Sequence, residues 1–126
     1  MDKLTELSHS EWLVMEELWK SPHTLMELVA LLGDSVGWSK STVATMVRRM
    51  EEKGIIGYRE KGRAKEFDPI LSRKIVTERE TTSLLQRAYN GSLGLLVSAM
   101  AHSKGLTQAD IDELYEILRK AEEDAK

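Results

Sequence analysis

The decisive stretch reads Trp38-Ser39-Lys40-Ser41-Thr42-Val43-Ala44-Thr45-Met46-Val47-Arg48-Arg49-Met50-Glu51-Glu52-Lys53-Gly54, then Ile55-Ile56-Gly57-Tyr58-Arg59-Glu60-Lys61-Gly62-Arg63-Ala64-Lys65. Its first half has a helical period: Ser39 can accept a first-turn amide, Val43, Met46, Val47 and Met50 form one apolar stripe, and Gly54 stops the segment. Its second half loses that period. β-Branched and aromatic residues flank Lys61-Gly62-Arg63 and lead to Phe67 and Pro69, which predicts a short β-hairpin.

Upstream, two more helices are expected. Ser8-His9-Ser10-Glu11 has the form of a capping box, with Trp12, Met15, Leu18 and Trp19 following at helical spacing and Pro22 closing the segment. Thr24 to Glu27 repeats that pattern and opens a helix through Leu25, Leu28, Val29 and Leu32, expected to end at Gly33. Downstream, Ser72 opens a long helix through Ile75, Val76, Leu84 and Leu85 to Asn90-Gly91. Leu93 to Met100 is strongly apolar, and Thr107 to Asp110 caps a last helix carrying Ile111, Leu114, Ile117 and Leu118. The fold class is therefore mainly α with a small β-hairpin wing: a winged helix-turn-helix over residues 1–71 and a helical dimerisation region over 72–126. The 126 residues suit one compact domain with a small further element and exclude two large ones.

The net charge of -3 suggests no polyanion partner until it is divided along the chain. Trp38 to Lys65 holds eight Lys and Arg against three Glu, a charge of +5, and the remainder holds ten against eighteen, or -8. A basic third helix followed by a basic hairpin is the electrostatic footprint of a double-stranded DNA reader. With the apolar stripe inward, Lys40, Ser41, Ala44, Thr45, Arg48 and Arg49 face away. Ser41, Ala44, Thr45 and Arg48 are the candidates for base edges, with Thr42 beside them; Lys40, Arg49 and Lys53 are candidates for phosphate. Lys61 and Arg63 at the hairpin tip reach a neighbouring backbone or minor groove. Trp12, Trp19 and Trp38 are assigned to packing.

Other chemistries find little support. With no cysteine, the chain has no disulfide, thiolate metal site or Cys nucleophile. His9, His23 and His102 read as isolated, without a carboxylate at ligand spacing, so no metal, cofactor or catalytic group is expected. No stretch approaches the ~20 apolar residues of a membrane span, and Met1-Asp2-Lys3-Leu4 lacks the plan of a leader, so the expected location is cytoplasmic, without membrane insertion.

In order along the chain, several stretches resemble the penicillinase-repressor family of bacterial winged-helix regulators, the BlaI, MecI and CopY group. They are Leu7 to Met15 with Leu18-Trp19, Gly37-Trp38-Ser39 with Thr42-Val43, Thr45 and Arg49, Lys53-Gly54, Lys61-Gly62-Arg63 with Phe67 and Pro69, and Tyr89-Asn90-Gly91-Ser92-Leu93. The resemblance spans roughly Leu4 to Leu118 and implies a homodimeric repressor whose N-terminal part reads an operator half-site and whose C-terminal helices pair the subunits. Independently, Leu84, Leu85, Leu93, Leu96, Val97, Ile111, Leu114 and Leu118, with Leu95 and Ile117, are too apolar for three terminal helices to bury alone. The copper-responsive branch of the family uses a cysteine-rich motif that this chain lacks. In the β-lactam branch a membrane-bound sensor protease cuts an Asn-Phe bond, where this chain has Ala99-Met100. Lys40-Ser41, Ala44 and Arg48 also depart from the family's recognition helix and imply a shifted operator. Two alternatives stand beside the repressor: a winged-helix protein-interaction module, and a regulator gated by a small molecule.

Overall fold

The computed structural model describes residues 6–125, so the reading of Met1 to Leu4 lies outside the described residues. Three helices open the fold: α1 (His9–Lys20), α2 (Leu25–Val36) and α3 (Lys40–Glu52). Each starts where its cap was expected. Ser8 Oγ accepts from the Glu11 N–H at 3.2 Å while the Ser8 N–H donates to Glu11 Oε1 at 2.8 Å, and Thr24 and Glu27 repeat this reciprocal pair at 3.3 and 2.8 Å. Ser39 Oγ accepts from the Thr42 N–H at 3.2 Å.

Two expectations are corrected. The helix expected to end at Gly33 runs one turn further, to Val36, and its terminator is Gly37, whose φ of +73° suits glycine. Gly33 instead lies inside the helix, where a Cβ would sit 3.5 Å from the Trp38 carbonyl oxygen, an ordinary contact distance. The hairpin, β2 (Ile56–Lys61) and β3 (Ala64–Pro69), belongs to a three-stranded antiparallel sheet, because the two-residue strand β1 (His23–Thr24) pairs with Phe67 and Glu66 of β3. Two residues are too few to show a period of two, so β1 is invisible in sequence.

Val14, Met15 and Leu18 of α1, Leu28 and Leu32 of α2, and Val43, Val47 and Met50 of α3 meet Ile55, Ile56 and Phe67 in one core. The tryptophans border it. Trp12 and Trp19 meet edge to face at 5.5 Å between ring centroids, and the Trp19 indole N–H donates to the Leu71 carbonyl at 2.9 Å. Arg73 pairs with Glu16 and lies over the Trp19 ring, anchoring the start of α4 (Arg73–Tyr89), whose Val76 is fully buried. By contacts the chain divides into one unit ending at Thr82 and a second from Ser83, so the first turns of α4 pack with the winged helix. In the second unit the rest of α4 ends at Asn90 and Gly91, both at positive φ, and α5 (Leu93–Ser103) and α6 (Gln108–Asp124) follow. Neither α5 nor α6 has a buried residue.

A buried carboxylate ties two ends of the winged helix together. Glu11, besides capping α1, accepts from Lys53 Nζ at 2.7 Å, and Lys53 is the residue that ends α3. Burial pushes the Glu11 carboxyl up, yet the Lys53 ammonium and the hydrogen bonds from Ser8 outweigh it and hold the group below its ordinary value. The stabilisation it contributes is therefore complete above about pH 4.5 and is lost as pH falls through the lower folded value. Lys53→Met should destabilise the protein at pH 7 by about 1–3 kcal/mol in urea unfolding. The difference from the parent should shrink below pH 4.5, as Glu11 loses its charge.

Candidate nucleic-acid interface

Helix α3 buries Val43, Val47 and Met50, and at 100° per residue the opposite side carries Ser41, Thr45 and Arg48. Lys40, Ser41, Thr42, Arg48 and Arg49 are exposed, while Ala44 and Thr45 are half-buried. Met46, expected inward, is half-buried. It packs against the core and also lines a surface hollow of about 240 Å³ with Ser41, Thr42, Thr45 and Arg49. At the start of the helix, Ser39 Oγ lies 3.1 Å from the Ser41 hydroxyl and 3.0 Å from that of Thr42, which orients both side chains toward the cap.

The eight cations of this segment fall into two groups. Lys53 is engaged by Glu11 at 2.7 Å. Arg59 and Lys61, on β2, both bind Glu66 on β3, at 3.0 and 3.2 Å, and these two hydrogen bonds, Lys61 first, keep the Glu66 carboxyl below its ordinary value. Lys65 lies 3.9 Å from Glu51 and 4.2 Å over the Tyr58 ring. Lys40, Arg48, Arg49 and Arg63 form no ion pair among the described residues. The unneutralised charge therefore sits at the exposed start of α3, on Arg48 and Arg49 further along it, and at the wing tip. There Gly62, at φ +62°, makes the sharp turn that leaves Arg63 exposed.

Sequence reasoning missed the two carboxylates that sort these cations. Glu11 was legible as a cap, but its partner is 42 residues away. Glu66 alone had a signal, since it stands opposite Arg59 in the hairpin register. His23, isolated in the sequence pattern, has partners in the fold: its Nδ1 lies 3.6 Å from Glu27, and its Nε2 lies 3.3 Å from the Ser21 hydroxyl. Its place in β1, just before the Thr24 cap, brings Glu27 back to it. Among the described residues no group of three or more His, Asp and Glu could hold a metal ion, and no helix is long and apolar enough to cross a membrane.

The family described as penicillinase repressor matches residues 7–120. The chain belongs to the penicillinase-repressor family. It is 31% identical to the penicillinase repressor of Bacillus licheniformis over 95% of this chain and 94% of that one. It is 25% identical to the methicillin resistance regulatory protein MecI of Mammaliicoccus sciuri over 94% and 98%. The solved DNA-binding domain of the repressor BlaI superposes with a TM-score of 0.52 at 30% identity, covering 58% of this chain and 90% of that one. This likeness agrees with the winged-helix fold.

In this penicillinase-repressor chain the second unit leaves its apolar residues uncovered. Leu84, Leu93, Val97 and Leu118 are exposed, Leu93 and Leu118 at 59% each, and Leu85, Leu96, Ile111 and Leu114 are half-buried. Ala99 and Met100 lie inside α5, where the Ala99 carbonyl also accepts from Ser103 Oγ at 2.8 Å.

The division of cations has a measurable consequence for binding to a DNA duplex. Arg63→Ala or Arg49→Ala should lower the slope of log K against log salt by about 1 for each subunit bound, as loss of a phosphate contact does. Lys53→Met should leave the slope unchanged, because its ammonium already serves Glu11. Fluorescence anisotropy across a salt series reads both.

Proposed function

We propose that this protein is a dimeric transcriptional repressor that binds a palindromic double-stranded DNA operator through α3 and the wing. One observation carries the reading: Lys40, Arg48, Arg49 and Arg63, the cations of the Trp38–Lys65 segment without a carboxylate partner among the described residues, are exposed along a recognition-type helix and at a hairpin tip. Membership of a repressor family supports it, and that family is not one of enzymes. Ser41, Thr42, Ala44, Thr45 and Arg48 meet base edges at the groove, while Lys40, Arg49 and Arg63 hold phosphates and set the register. Lys53 and Lys61 stand behind them, holding the positions of α3 and the wing.

The second unit supplies the dimer. A helical segment with no buried apolar residue in α5 and α6 lacks a core of its own, and a second copy of the same face covers it symmetrically. Two recognition helices then meet half-sites about one helical turn, ~34 Å, apart. The division of labour between residues 1–71 and 72–126, a cytoplasmic location and a membrane-bound sensor protease as a further partner complete the proposal. Cleavage at Ala99-Met100 requires α5 to open locally, since a helical backbone does not fit an extended protease cleft.

Anisotropy with an inverted-repeat duplex selected from a random pool should show tight binding that weakens steeply between 50 and 200 mM salt, on the order of a thousandfold or more. Salt-insensitive micromolar binding without sequence preference would overturn the reading. Arg48→Ala should relax specificity by about 1–3 kcal/mol if its guanidinium meets a guanine. In sedimentation, Leu93→Asp combined with Leu118→Asp should convert a dimer to a monomer and weaken operator binding. A parent chain that is already monomeric and does not retard DNA would favour a protein-interaction module.

A further inference from the structure

The hollow beside α3 has a chemistry that the charged face around it does not share. Of its lining residues, Met46 carries no hydrogen-bond donor and Arg49 is the one cation. Thr42, whose hydroxyl lies 3.0 Å from Ser39 Oγ, also brings a methyl group to the lining. The Ser41 hydroxyl lies 3.1 Å from Ser39 Oγ. Thr45 adds a further methyl group and a hydroxyl, so the recess sets the Met46 thioether and two threonine methyl groups among small hydroxyls, next to an unpaired guanidinium.

Among the edges that unmodified base pairs present in the major groove, one is apolar: the 5-methyl group of thymine. The rest are donors and acceptors, which a recess lined by Met46 and the Thr42 methyl would desolvate without a partner. We infer that this hollow seats a thymine 5-methyl group, with Met46 and Thr42 as the specificity-determining residues and Arg49 at the rim on the adjoining phosphate. The inference rests on the proposed reading of DNA by α3 and adds which base that helix requires and through which atom.

Deoxyuridine tests it, because replacing thymine removes the methyl group and leaves every hydrogen bond. In a duplex selected from a random pool by the full chain, one thymine per half-site should be sensitive, its replacement weakening binding about fourfold, the value of one buried methyl group. Met46→Ala should bind the thymine and deoxyuridine duplexes equally, with the salt slope unchanged. Met46 also touches the core, so Thr42→Ser, which keeps the hydroxyl at Ser39 and removes one methyl group, is the companion variant and should narrow the same difference. Duplexes in which no thymine replacement matters, or variants that both keep the full difference, overturn the inference while leaving DNA binding intact. A random pool that yields no enriched sequence overturns the DNA reading itself.

Discussion

The winged helix depends on one carboxylate. Glu11 closes the first turn of α1 through Ser8 and accepts the Lys53 ammonium at the end of α3, so a single side chain fixes both the start of the first helix and the end of the third. A buried carboxylate without that cation would carry the full cost of leaving water, and the cation is what turns the site from a penalty into a clamp. The clamp sits where α3 gives way to the hairpin. Orientation of the recognition helix and entry into the wing are consequently set at the same point.

Glu66 plays the parallel part in the wing. Its carboxylate gathers Arg59 and Lys61 across the β2 and β3 register and stiffens a hairpin that turns on only two residues. A segment with a charge of +5 has the composition of a uniform attractor, but half of its cations hold the protein to itself. The remaining ones occupy the helix face and the wing tip, and the acidic remainder of the chain discourages approach of a polyanion from other directions. In the proposed reading, uncharged groups between the cations, among them the recess around Met46, add to the base reading of Arg48.

Much of this architecture was legible because its signals are local. Ser8, Thr24, Ser39 and Thr107 announce helix starts through bonds that span three residues, and the apolar stripe of α3 and the Gly62 turn follow from spacing alone. The end of α2 was misplaced because Gly33 and Gly37 look alike in sequence. Only the path of the backbone tells that Gly37 takes the left-handed conformation while Gly33 stays helical. The strand at His23-Thr24 was missed for a related reason: its identity lies in its pairing with Phe67 and Glu66 rather than in any property of its own two residues.

The sequence by itself determined the fold class, the order of helices and hairpin, the basic segment from Trp38 to Lys65 and the apolar surplus after Ser83, all of which depend on neighbours a few residues apart. Tertiary structure alone decided which cations remain available, because Lys53 meets Glu11 only after α1 and α3 pack. It also decided that Met46 faces both ways, toward the core and toward the surface, since a residue at the edge of a helical stripe is assigned by what packs beside it. Periodicity records a direction around a helix axis; the partner met in that direction is a property of the folded chain.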